Sequence, residues 1–237
     1  MAACLGTALS CDVTAAGEPS PPPMTAADAI ARLQAGNHRF VAGELQHPHE
    51  GFDWRHHIES GQHPFAVVIG CADSRVVPEL VFDAGLGDLF SIRIAGNIVD
   101  TDVVASVEYA VDHLDTKVVV VLGHTGCGAV TAAVDSLAGG ADEPAEIVSL
   151  LHAIEPAVVS VDPRLPRAER IDIAVRRNVE LAVRRLSRVP DLRRGLNTRG
   201  VQIVGAVYDM HTGEVNFLPP AEAARPVVKP RLASVEE

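Results

Sequence analysis

The sequence predicts an α/β fold: a mostly parallel central sheet flanked by helices, with an N-terminal helical arm and an added C-terminal strand or hairpin. Three observations predict it. Residues 65–70 and 117–123 are short, Val-rich runs stopped by glycine, as strands buried on both faces of a parallel sheet are. The segments between and after them carry apolar residues at helical spacing with charges opposite, as helices lying on a sheet do. Each of the two runs ends in a polar cluster, and open α/β sheets place their sites at the C-terminal ends of strands.

The elements follow in order. Residues 1–24 read as an extension, in which Ala8-Leu9-Ser10-Cys11 lacks the preceding Lys or Arg of a signal peptide and residues 18–23 form a Pro-rich linker. Thr25 is a candidate N-cap, with Asp28 completing an imperfect capping box, for a helix reaching about Ala42 on a stripe of Ala29, Ile30 and Leu33. His47-Pro48-His49 reads as a solvated loop, and the stretch around Trp54, with His56 and His57, as a short helix. Pro78 suits the first position of a helix through Phe82, and residues 83–87 turn the chain into a strand over 88–94. Thr101 or Asp102 is expected to cap a helix with Val103, Val107, Ala110, Val111 and Leu114 on one face. Helices are expected over 129–137, 145–159 and 167–189, with a surface loop at 139–144. A strand over 200–208, a turn at 209–214 and a strand over 215–218 complete a domain of residues 25–218, and 219–237 is tail.

Composition narrows the function classes. With 237 residues and 47% hydrophobic content the chain fits one large domain. A formal net charge of -11 argues against nucleic acid or an anionic membrane as partner, since phosphates are neutralised by clustered Lys and Arg. No segment approaches the ~20 apolar residues of a membrane span, so a cytoplasmic protein acting on a small molecule is expected. Four cysteines give no disulfide framework, because Cys4 and Cys11 lie in the extension and the other two have a better use.

That use is a metal. Cys71-Ala72-Asp73-Ser74-Arg75 follows the first strand and His124-Thr125-Gly126-Cys127 closes the second. A thiol and an imidazole with two residues between them, joined by a second thiol or a carboxylate from the other loop, make the N, S and O donor set that suits Zn2+. Either cysteine alone reads as a small buried hydrophobe; both at strand ends, one with His124 and the other with Asp73 and Arg75, read as ligands. Asp73 and Arg75 can pair bidentately, which would steer the carboxylate off the metal. A structural zinc module closed by Cys71, Asp73, His124 and Cys127 is the alternative, disfavoured because an Asp that is only a ligand needs no Arg partner.

The pair of motifs, Cys71 to Val76 and Gly123 to Ala129, resembles the β-class carbonic anhydrases, with similarity extending over about 27–215 through Gly36 to Phe40, Ile92 to Asn97 and Ser106 to Ala110. The resemblance implies zinc held by Cys71, His124 and Cys127, and reversible hydration of CO2 to bicarbonate and a proton by metal-activated hydroxide. It implies a catalytic dyad of Asp73 and Arg75 in which Asp73 gates the fourth metal position and becomes fourth ligand in a closed state. It also implies a substrate pocket of Gln62, Phe90, Ala95 and Tyr109, with Arg93 structuring the site region, and a homodimer or dimer of dimers in which Tyr109 reaches the neighbouring pocket and Leu33 and Phe40 face the partner. A second subgroup carries a regulatory Trp three residues before the first Cys; Val68 stands there, which favours the open-site subgroup. His63 is a candidate proton shuttle. Hydrolysis of CS2 or COS on the same fold is the nearest alternative activity.

Overall fold

The computed structural model describes residues 24–137, 139 and 143–219. The expectations for residues 1–23, for residues 140–142 of the 139–144 loop and for the tail beyond 219 fall outside the described residues.

A five-stranded sheet runs through the middle, in the order β2 (Leu89–Arg93), β1 (Ala66–Gly70), β3 (Val118–His124), β4 (Gln202–Tyr208), β5 (Val215–Phe217). The first four strands are mutually parallel and β5 is antiparallel to β4, which is the predicted architecture with its C-terminal addition. Every residue of β1 and β3 is buried, as their unbroken apolar runs require. The pleat sorts them between two cores. Val67, Ile69, Val119 and Val121 face α4 (Thr101–His113), α5 (Gly128–Ser136), α6 (Ala145–Val158), α7 (Arg167–Arg188) and α8 (Pro190–Thr198). Ala66, Val68, Val118, Val120 and Leu122 face α1 (Ala26–Ala42) and α3 (Pro78–Val81).

Several local expectations change. The capping box of α1 is complete although its third residue is Asp: Asp28 N–H donates to Thr25 Oγ1, and the Asp28 carboxylate accepts from Thr25 N–H. Leu33 is fully buried beneath its own sheet, so the expectation that it faces a partner is corrected; Phe40 is half-buried, its ring 6.4 Å from that of Tyr208. The cap of α4 is Asp100, whose carboxylate accepts from Val103 N–H, in place of Thr101 or Asp102. Its side chain stands three residues before that N–H, the reach an N-cap needs. The segment after Val189 forms a separate helix, α8, which Pro190 opens at its first position. The short helix around Trp54 is α2 (Phe52–His57).

The approach of α7 to the sheet depends on two glycines. A Cβ at Gly123 would stand 2.5 Å from Val179 Cγ2, and one at Gly205 would stand 2.7 Å from Val179 Cγ1. Val179, fully buried, therefore fills a notch that neighbouring strands β3 and β4 leave open for it. This contact seats α7 close behind the loop that follows β2.

Candidate metal centre

Strand order reverses at β1: the chain passes from β1 outward to β2 on one side and returns to β3 on the other. That reversal point is where open α/β sheets form a crevice beyond the strand ends. Cys71 leaves the end of β1, and His124 and Cys127 leave the end of β3, so adjacent strands carry all three residues to one place. Their ligand atoms lie within 4.8 Å of one another, and all three residues are buried.

The loop carrying His124 is tied to the last parallel strand. His124 is in register with Tyr208, Thr125 N–H donates to Tyr208 O at 3.0 Å, and Thr125 Oγ1 accepts from Met210 N–H at 3.0 Å. His124 Nδ1 lies 3.0 Å from the Thr125 carbonyl. A carbonyl only accepts, so Nδ1 carries the proton and Nε2 presents its lone pair. Nε2 is buried and has no hydrogen-bond partner among the described residues. An imidazole lone pair left bare beside two thiols is the arrangement a cation satisfies, and two sulfurs with one nitrogen suit zinc.

The sulfurs are prepared for ionisation. Cys71 Sγ accepts from Asp73 N–H at 3.4 Å and Gly96 N–H at 3.3 Å. The hydrogen bond with Cys127 lowers the Cys71 thiol to about 4, helped by those two amides against the opposing effect of burial. Cys127 is pushed up, first by Cys71 and then by burial, although the Val130 and Ala129 amides in the first turn of α5 favour its thiolate. The two sulfurs thus hold one proton between them, which a divalent cation displaces.

Asp73 stands beside this group without joining it. Arg75 grips the carboxylate in a fork, Nε to Oδ1 at 2.9 Å and Nη2 to Oδ2 at 2.7 Å, and Arg75 N–H adds a third bond to Oδ1 at 3.0 Å. Chiefly through the Arg75 side chain, the Asp73 carboxyl is held well below the usual carboxylate range. Arg93 at the end of β2 braces the loop from outside, donating to the Cys71 carbonyl at 3.2 Å and the Asp73 carbonyl at 2.7 Å.

The remaining expected site residues divide between the two ends of the sheet. Ala95 begins a 3-10 turn, Ala95–Asn97, whose Gly96 touches Cys71, and it lies at the metal end. Phe90 is in register with Val67, four residues before Cys71, hence roughly 13 Å away along the strand at about 3.3 Å per residue. Tyr109 is half-exposed, with its ring 6.4 Å from that of Phe90. Gln62 and His63 are exposed and precede β1, where Pro64 O accepts from Thr116 and Phe65 N–H donates to Asp88 O. They belong to the amino end of the sheet, and the length of β1 separates them from the metal-ligand residues of the same chain.

Sequence reasoning passed over Asn178. It lies on the buried stripe of α7 between Val175 and Val179, and its Nδ2 donates to Gly96 O at 2.7 Å. A polar residue interrupting an apolar helical stripe was the available signal.

An open parallel sheet that brings two thiols and an imidazole to its reversal point, with a carboxylate held just outside, defines a metalloenzyme of the α/β class. The carbonic anhydrase family profile matches residues 66–215. Carbonic anhydrase 2 of Mycobacterium tuberculosis is 39% identical over 182 residues, covering 76% of this chain and 87% of that protein. The solved structure of the β-carbonic anhydrase CcaA superposes with a TM-score of 0.63 at 28% identity, covering 81% of this chain and 99% of that one. One of the two tetrameric β-carbonic anhydrases of the ascomycete Sordaria macrospora superposes with a TM-score of 0.63 at 26% identity, covering 80% and 95%. The chain belongs to the carbonic anhydrase family, in its β class, and zinc is its cofactor. Among the described residues no helix is long and apolar enough to cross a membrane.

Proposed function

We propose that this protein catalyses the reversible hydration of CO2 to bicarbonate and a proton, with Cys71, His124 and Cys127 holding zinc and the Asp73–Arg75 pair controlling the fourth position. The observation that carries this reading is the fork between Arg75 and Asp73. Catalytic zinc sites keep three protein ligands and one open position, whereas structural sites are closed by four. A carboxylate drawn aside by Arg75 supports the open arrangement, and with it the open-site subgroup, over a closed structural module.

When bound, zinc supplies the Lewis acidity that makes water nucleophilic near neutral pH. The chain's residues supply the rest. Ionised Asp73 can only accept hydrogen bonds, so it takes one from the nucleophile and turns the reactive lone pair toward the substrate. Arg75 and Arg93 fix that carboxylate and its loop in place. CO2 is apolar and calls for an apolar wall with one orienting donor, roles that Phe90, Ala95, Tyr109 and Gln62 fit.

In one chain those residues are split between the two ends of the sheet, which supports a two-fold homodimer in which each subunit lends Gln62, Phe90 and Tyr109 to its partner's metal end. The edge strand β2, with one side unpaired among the described residues, and the half-exposed Tyr109 beside it offer the surface for such a contact. The tetramers named for the Sordaria enzymes agree with a dimer of dimers.

Stopped-flow CO2 hydration by metal-analysed protein tests the reading. Zinc-dependent turnover that falls as pH drops is expected, because Asp73 would then exchange Arg75 for the remaining position on a bound metal. Zinc-loaded protein without activity in alkaline buffer would refute the enzyme; a flat profile through the acidic range would refute the gate alone.

A further inference from the structure

Asn178 lies on the far side of the Gly96 turn from the metal ligands, yet it is built into their surroundings. It is 3% exposed, and its amide donates to Gly96 O at 2.7 Å. On the opposite side of the same residue, Gly96 N–H donates to Cys71 Sγ at 3.3 Å. Gly96 has φ 64, a left-handed conformation in which its carbonyl and amide serve these two partners at once. The turn has little freedom to find this geometry otherwise. A Cβ on Gly96 would stand 2.7 Å from Ile154 Cδ1 and 3.2 Å from Ala129 Cβ, so α5 and α6 wall it on both flanks. Val179, the next residue of α7, is locked into the notch formed by Gly123 and Gly205, which fixes where the Asn178 amide is presented.

We infer that Asn178 is a positioning residue that tunes the metal: by holding the Gly96 carbonyl it aims the Gly96 amide at Cys71 Sγ and so limits the charge this sulfur donates to zinc. The inference rests on the zinc reading above and extends it to α7. Its physical motive is plain. Two thiolates give a metal more electron density than imidazoles do, which weakens its pull on water, and a hydrogen bond to a ligating sulfur takes part of that density back. The Asp73 amide provides one such bond from the ligand loop itself. Asn178 secures the other from a helix that contributes no ligand.

The test compares wild type with Asn178→Leu, which is similar in size and cannot donate. In cobalt-substituted protein the thiolate-to-cobalt charge-transfer band is expected to move to longer wavelength in the variant, because a sulfur with one hydrogen bond fewer is more easily oxidised. In the zinc enzyme, kcat near neutral pH is expected to fall about tenfold, a typical effect of losing an outer partner of a metal ligand, and to recover in alkaline buffer. A merely structural role would lower activity in the same proportion at every pH and leave the band in place, and that result overturns the inference. Should Asn178→Leu fail to fold, Asn178→Ala, which leaves a void instead of an added branch, carries the same comparison. In wild type loaded with spin-active cadmium, scalar coupling between the metal and the Gly96 amide proton is expected through the sulfur; its absence would also overturn the inference. A shifted cobalt band in a protein whose zinc form does not hydrate CO2 would leave the inference standing and refute only the proposed activity.

Discussion

Adding one methyl at Gly123 tests whether the notch beneath α7 sets the position of that helix. In Gly123→Ala the new Cβ meets Val179 Cγ2 at 2.5 Å, where carbon atoms rest at about 3.5–4.0 Å, an overlap of roughly 1 Å. Val175 Cγ1 at 3.5 Å closes the side to which the methyl could lean. Forced overpacking of this kind costs about 1–3 kcal/mol, and full burial of Val179 puts the expected value near 2. Val179→Ala alone removes two buried methyl groups and leaves a void, costing about 2–3 kcal/mol. In the double variant the added methyl enters the space that Val179 vacates, so the pair should be no less stable than Val179→Ala by itself, a favourable coupling of about 2 kcal/mol. Urea unfolding followed by circular dichroism at one fixed protein concentration reads the three differences from midpoints at constant slope. Costs that simply add, to within about 0.5 kcal/mol, would refute the notch as the element that seats α7.

Four further outcomes follow from the structure. Cys127→Ser should purify with a small fraction of the wild-type zinc content by elemental analysis and lose CO2 hydration with it. Mixing Gln62→Ala subunits with Asp73→Asn subunits should restore activity beyond that of either parent, since a hybrid dimer holds one site with both residues intact; no complementation in verified hybrids would place Gln62 outside the partner's pocket. Asp83→Asn should cost about 3 kcal/mol in urea unfolding, because the buried carboxylate accepts from Arg39 and from the Gln46 and His47 amides. Burial raises the Asp83 carboxyl but those partners outweigh it and hold it below the usual range, so this deficit should be complete above a pH of about 4 and shrink as pH falls through the lowered value. His63→Ala should slow turnover in weak buffer, with added imidazole restoring it, if His63 relays the proton; an unchanged rate removes that role.

The sheet was legible because β1 and β3 are buried on both faces and therefore spelled almost wholly in apolar residues, valine foremost, with glycine marking their ends. The ligand residues were legible for a related reason: a metal needs particular donor atoms, and their short spacing survives in the sequence. The arrangement around them was not. Residue spacing says nothing of which end of a strand a neighbour occupies: Gln62 stands nine residues before Cys71, and β1 carries it to the far end of the sheet. Contacts between remote segments leave no local mark either: Gly123 read only as the end of its strand, and only the packed helix shows that Val179 requires both Gly123 and Gly205. The choice of Asp100 over Thr101 or Asp102 turned on one residue of backbone geometry, which periodicity does not resolve.

The tie between Thr125 and the strand carrying Tyr208 has a consequence for the order of events during synthesis. A ribosome that has released Cys71, His124 and Cys127 has all the donor atoms in hand, but the segment that fastens two of them has yet to be translated. At that stage the loop carrying His124 lacks the Tyr208 and Met210 partners that hold it in the complete fold. Shortening the chain before Tyr208 is therefore expected to weaken the hold on zinc while sparing Cys71, His124 and Cys127 themselves.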